Sequence, residues 1–160
     1  LSGSGKTTLS EEVVAQARAR GRKVVLLDGD GVRALYGNDL GHDLADRRLN
    51  ADRICRLCSF LDQQGLDVVC AILSIFPESR SWCRASLTDY FEVFIDAPME
   101  QLINRDDKGI YGRFRRGEIR EVAGLDLPFP RPKEADLVIN NDAGREALLA
   151  HAPKLVDLLG

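Results

Sequence analysis

Short apolar runs alternate along the chain with longer stretches in which apolar positions recur every three or four residues. Continuous apolar runs suit strands buried on both faces, and the wider period suits helices packed on one side. The alternation therefore predicts an α/β fold with a mainly parallel sheet between two helical layers. From Lys6 to Arg20, Leu9, Val13, Val14, Ala15 and Ala17 form one apolar stripe, and Gly21 stands where a helix ends in a left-handed residue. Val24 to Leu27 reads as a buried strand running into Asp28-Gly29-Asp30. Ala45 to Gln64 carries helical spacing through Ile54, Leu57, Cys58 and Leu61, with Gly65 as its stop. Val68 to Leu73 predicts the next strand, Glu78 to Leu87 a short helix and Phe91 to Ile95 a third strand. Pro98 suits the first turn of a helix toward Arg105. Asp136 to Ile139 reads as the last strand, and Ala143 to Leu159 as a closing helix. Between Asp106 and Lys133 the buried period stops and Arg, Gly and Pro dominate, the pattern of a functional or mobile loop.

At 160 residues this pattern fits one domain. A net charge of −3 supplies no overall basic field for nucleic acid or an anionic membrane, so any anion site must be local. Hydrophobic residues make up 44%, too many for a disordered chain, and no apolar run approaches the ~18 residues of a membrane span. Cys55, Cys58, Cys70 and Cys83 are too few for a disulfide scaffold, which points to a reducing cytoplasm. Cys55-x-x-Cys58 lies within a helical stretch without a second ligand pair and reads as core, while Cys70 and Cys83 have no evident partner. His42 and His151 are too isolated to suggest a metal site.

The strongest chemical signal opens the chain. Leu1-Ser2-Gly3-Ser4-Gly5-Lys6-Thr7-Thr8 matches the Walker A pattern G-x-x-x-x-G-K-[ST] if a glycine stands just before Leu1, and a strand is expected upstream of it. Glycines let the backbone fold tightly around phosphate oxygens, and the following helix adds its positive end. Lys6 is placed to reach the β- and γ-phosphates of ATP, and the Thr7 hydroxyl to bind Mg²⁺. A capping turn would explain the glycines and Thr7 but not a lysine at this spacing. The sequence contains no Asn-Lys-x-Asp signature for guanine, which argues against a GTPase.

Asp28 and Asp30 follow a strand directly, at the carboxyl edge where open α/β sheets bind ligands. A carboxylate there can orient a hydroxyl and accept its proton, or hold a water on Mg²⁺; the alternative is a cap on the next helix. Arg33, Arg47, Arg48 and Asn50 lie on the segments that follow, and guanidinium groups bind phosphate or sulfate in a bidentate manner. Lys108, Arg113, Arg115 and Arg116 stand in the aperiodic region, where a lid would bring cations over the phosphates and expel water.

These residues together resemble the adenylylsulfate kinase family, which transfers the γ-phosphate of ATP to the 3′-hydroxyl of adenosine 5′-phosphosulfate. The resemblance rests on Leu1 to Thr7, Leu27-Asp28-Gly29-Asp30-Gly31-Val32-Arg33, Asn38-Asp39-Leu40-Gly41, and Arg47 with Asn50. It continues through Arg105-Asp106-Asp107-Lys108-Gly109-Ile110-Tyr111, Gly117-Glu118-Ile119 and Gly124-Leu125-Asp126. It implies a P-loop kinase fold, a three-layer α/β/α sandwich with a five-stranded sheet whose central strand precedes Leu1, a lid at about 106–133, ATP and Mg²⁺ as cofactors, and a homodimer. By the same likeness Asp30 faces the acceptor hydroxyl, Arg33, Arg47 and Asn50 bind the acceptor nucleotide, and Lys108 lies near the phosphates.

Two departures fall on the acceptor side. His42 stands where the family carries a Phe that stacks on the acceptor base, and Leu73-Ser74-Ile75-Phe76-Pro77 replaces I-S-P-[YF]-R, keeping Ser74 and Phe76. A related branch, the cytidine diphosphoramidate kinases, is compatible with the Leu73 to Phe76 segment. His42 can stack on either base, and Phe129 is either a second stacking face or an apolar anchor of the lid. A nucleotide-sensing module without catalysis is the alternative of another class, and intact Lys6, Thr7 and Asp30 argue against it.

Overall fold

The computed structural model describes residues 1–106 and 108–159. The glycine-rich loop runs directly into α1 (Lys6–Ala19), whose Leu9, Val13, Val14 and Ala17 are buried while Ala15 faces out, which narrows the predicted stripe. Gly21 adopts the left-handed conformation that ends this helix. The chain continues through β1 (Val24–Asp28), α2 (Gly29–Leu35) and α3 (Leu44–Gln63). Then come β2 (Asp67–Ala71), α4 (Pro77–Ser86), β3 (Val93–Asp96), α5 (Met99–Arg105), α6 (Ile110–Arg115), β4 (Leu137–Asn140), α7 (Arg145–Leu149) and α8 (Ala152–Val156). The alternation of strand and helix read from periodicity is present, with differences at the ends. β2 stops at Ala71, so Ile72 and Leu73 leave the ladder and continue toward the cavity described below. The single closing helix is two, because Pro153 has no N–H to extend the ladder from α7 and instead sits in the first turn of α8.

The strands pair in parallel, β1 with β2 from Val24↔Asp67 to Asp28↔Ala71, and β3 with β4 from Val93↔Leu137 to Asp96↔Asn140. Among the described residues these form two two-stranded sheets. A common core joins them: Val24, Ile95 and Ile139 are buried with the inner face of α1 and with Leu148, Ala152 and Val156 of the last two helices. Parallel strands joined by crossovers place their carboxyl ends on one rim, and Asp28, Ala71 and Asn141 from three strand ends line one cavity there.

The region from Asp106 to Lys133 has its own apolar core, contrary to the expectation of an aperiodic loop. Tyr111 and Val122 bury against Leu102 and Ala97, with Ile110, Phe114 and Ile119 packed around them, while Ala123 joins Ile75 and Phe76. These residues arrive one at a time from turns, so no period announces them. Asp107, part of the family-like block, lies outside the described residues. The cysteines also differ from expectation: Cys83 donates to Cys55 at 3.6 Å and Cys70 hydrogen-bonds Cys58, so both outer cysteines have thiol partners contributed by α3. No described helix is long and apolar enough to cross a membrane.

Leu102 is fully buried where α5 meets this second core. Leu102→Ala is expected to cost about 3 kcal/mol of unfolding free energy through lost transfer energy and a residual cavity. Equilibrium urea denaturation measures it, and a loss under about 1 kcal/mol would contradict the packing.

Candidate active site

Gly3 and Gly5 have φ of 73° and 96°, a region L side chains rarely adopt. At Gly5 space is equally limiting, since a Cβ would meet Leu148 Cδ2 at 2.5 Å and the Asn141 amide nitrogen at 2.9 Å. The N-terminus of α1 has no side-chain cap, which leaves its first N–H groups available to an anion. The Lys6 ammonium donates to the Leu1 carbonyl and to Ser4 Oγ at 3.3 Å. Burial, with the positive charge of Lys108 next in importance, pulls its pKa down to about 8.

Ser2, Gly3, Gly5, Lys6, Thr7 and Thr8 line a cavity of about 1120 Å³. Ser4 is buried instead on the side of a second cavity. Among the described residues no group of three or more His, Cys, Asp or Glu side chains is arranged to hold a metal.

Asp28, Asp30, Arg33, His42, Arg47 and Asn50 line the same cavity. The Asp28 carboxylate accepts from the amides of Asp30 at 2.9 Å and Gly31 at 2.7 Å, so it caps α2, the structural alternative weighed for it above. Asp30 is thereby set in the first turn of α2 with its side chain largely exposed. It accepts a 2.7 Å hydrogen bond from Lys108, and that ammonium is the main cause holding its carboxyl below the usual range. Arg33 is fixed by the carbonyls of Gly29 at 3.0 Å and Gly41 at 3.2 Å. Arg47 donates to the carbonyls of His42 at 2.6 Å and Glu121 at 3.3 Å. Arg47 is held by neutral oxygens, whereas Arg33 also lies 3.8 Å from the Asp30 carboxylate. His42 is pushed down by partial burial and then by Arg33 and Arg47, so it is a neutral imidazole at pH 7. Asn50 is buried, its amide on the Gly29 carbonyl at 3.2 Å and its Oδ1 without a partner.

Leu73, Ser74 and Phe76 line this cavity too. Ser74 accepts from Arg80 through its carbonyl at 3.0 Å and its hydroxyl at 3.1 Å, a contact the sequence reading missed. Arg48 turns away to cover Phe76, 4.3 Å from the ring centroid, and pairs with Glu78. Phe129 is not brought to His42. It packs on Phe94 with ring centroids 6.0 Å apart and lines the second cavity, because apolar partners there cover its ring. Arg105, Tyr111 and Asn141 line the main cavity and were also missed, although the position of Asn141 just beyond β4 follows the strand-end rule.

The family described as adenylylsulphate kinase matches residues 1–140. An adenylyl-sulfate kinase of Paraburkholderia xenovorans is 38% identical over 94% of this chain and 88% of its own length. A cytidine diphosphoramidate kinase of Campylobacter jejuni is 38% identical over 88% of the chain and 82% of its own. The bifunctional enzyme NodQ of Azospirillum brasilense is 37% identical over 99% of the chain, which spans only 26% of that protein. Among solved structures, the Mycobacterium tuberculosis APS kinase CysC in complex with AMPPNP and APS superposes with a TM-score of 0.88 and 34% identity, covering 99% of this chain and 92% of that one.

With its pKa at about 8, Lys6 is mostly neutral at about pH 9, and a bound triphosphate favours its protonated form. Titration calorimetry with MgATP at about pH 9, in buffers of different ionisation enthalpy, is expected to show proton uptake approaching one per site that Lys6→Arg abolishes. Equal uptake in both proteins would contradict the shift.

Proposed function

The chain belongs to the adenylylsulphate kinase family, and from that premise we propose that it transfers the γ-phosphate of ATP to the 3′-hydroxyl of adenosine 5′-phosphosulfate, giving 3′-phosphoadenosine 5′-phosphosulfate. The observation that carries the reading is one cavity lined both by Lys6 and the glycine-rich loop and by Asp30, Arg33 and Arg47. The amides of the loop and Lys6 bind the triphosphate. Arg33, Arg47 and Asn50 hold the acceptor nucleotide, and neutral His42 offers a face to its base. Leu73, Ser74 and Phe76 close this side.

In the transfer, the acceptor 3′-oxygen bonds to the γ-phosphorus while the bond from that phosphorus to the β,γ-bridging oxygen breaks, releasing ADP. The hydroxyl proton passes to Asp30. A carboxylate is a weak base toward an alcohol, so Asp30 mainly orients the hydroxyl and takes its proton late, as suits a loose phosphoryl transition state. Lys108 leaves Asp30 when the acceptor arrives and turns its charge to the transferring phosphoryl group. Thr7 would hold Mg²⁺ through its hydroxyl, a donor set that suits an ion bound by few protein ligands, and the ion would supply neutralisation of the triphosphate charge. The same reading carries a single cytoplasmic kinase domain, paired as a homodimer, with a five-stranded sheet and residues 106–133 acting as a lid.

The second reading, a cytidine diphosphoramidate acceptor, is favoured by Ile75 and Pro77 in the acceptor segment and by the Campylobacter relative. Steady-state kinetics with each acceptor decides between them. Adenosine 5′-phosphosulfate is expected to give the far higher kcat/KM, and the reverse order would overturn that assignment. Asp30→Asn is expected to lower kcat by at least about 100-fold with the KM for ATP nearly unchanged. Undiminished kcat would remove Asp30 from the reaction.

A further inference from the structure

The phosphate loop has a difficulty that its glycines do not solve. Each of its peptide units carries a carbonyl oxygen as well as an N–H, and a carbonyl turned toward a phosphate repels it. Three consecutive carbonyls are each engaged by a side chain from a different element. Tyr111 in α6 donates its hydroxyl to the Ser2 carbonyl at 3.0 Å. Arg105 at the end of α5 reaches the Gly3 carbonyl at 3.5 Å. The Asn141 amide, just beyond β4, donates to the Ser4 carbonyl at 2.9 Å.

A trans peptide sets its N–H opposite its C=O, and the chain has no cis bond among the described residues. Fixing the carbonyls of Ser2 and Ser4 therefore fixes the amides of Gly3 and Gly5 in the opposite direction, and both glycines line the main cavity. The amide set by Gly3, that of Ser4, makes a long 3.4 Å bond to the Leu1 carbonyl.

The three side chains are themselves held. Asn141 is buried, its own amide on the Asp96 carbonyl at 2.7 Å, and its carbonyl accepts from Arg105 at 3.2 Å. Arg105 is further fixed by Gln101 at 2.8 Å. Tyr111 is buried, with its amide on the Asp106 carboxylate at 3.0 Å. The Oδ1 of Asn141 has no partner, so the orientation of this amide is set by the Ser4 carbonyl alone.

We infer that Tyr111, Arg105 and Asn141 are positioning residues that orient the loop's N–H groups for the triphosphate before it binds. They link that end of the cavity to α5 and α6, the segment that also leads to Lys108. The inference rests on the loop binding ATP, as proposed above.

The test uses Tyr111→Phe, which removes one oxygen and keeps the ring in its core, and Asn141→Leu, which keeps the volume and removes the donor. Equilibrium affinities for MgATP and for adenosine 5′-phosphosulfate are measured for each variant beside the parent chain, together with Tm. Both variants are expected to bind MgATP about tenfold more weakly while holding the acceptor as before. MgATP affinity within about twofold of the parent in either variant overturns the inference, as does a parallel loss of both affinities with a lowered Tm, which marks a merely structural role. A parent chain that fails to bind MgATP sinks the nucleotide reading itself, a different result from unchanged variants.

Discussion

Lys6 is a cation drawn largely out of water, and among the described residues it pairs with no carboxylate. Such a group is costly in the free protein, and its depressed pKa is that cost expressed as proton affinity. An anion that brings its own negative charge relieves it. The surroundings suit such an anion: uncapped amides at the start of α1, glycines whose φ no other residue would readily adopt, and a cavity large enough for more than one nucleotide. Without a triphosphate the loop would be a poorly solvated bend with a strained lysine; with one, the same atoms are complementary.

Around Asp30 the charges are arranged differently. Arg33 and Arg47 are aimed by backbone carbonyls, with Arg33 also 3.8 Å from the Asp30 carboxylate, so both are oriented before a ligand arrives. Asp30 is the exception, since Lys108 already occupies it. This exposed ion pair adds little to stability, being solvated on both sides. The segment that carries Lys108 is anchored by a core of its own, in which Tyr111 and Val122 pack on Leu102.

Legibility in the sequence followed locality. α1, β1 and the phosphate loop were readable because their determinants lie within a few consecutive residues: the stripe at Leu9, Val13 and Ala17, the run from Val24, and a lysine at fixed spacing from glycine. The carboxylates at Asp28 and Asp30 were placed correctly on a strand end, but which of them serves as a cap depended on backbone amides that spacing does not disclose. The lid core was hidden because its members come from turns, without a period. Non-local contacts were hidden as well: the division of the strands into two parallel pairs, Phe129 on Phe94, Cys83 on Cys55, and Asn141 on the phosphate loop. Each joins residues far apart in sequence, where neither residue alone signals its partner.

Phosphoryl transfer requires one cavity to bring the end of a triphosphate and an acceptor hydroxyl together beside Lys6 and Asp30. A crystal structure with a non-hydrolysable ATP analogue and adenosine 5′-phosphosulfate tests this most directly. The acceptor 3′-oxygen is expected about 3–3.5 Å from the γ-phosphorus, in line with the β,γ bridge and within hydrogen-bond reach of Asp30. An acceptor bound with that hydroxyl facing away from the γ-phosphate, while Asp30 stays on Lys108, would contradict it.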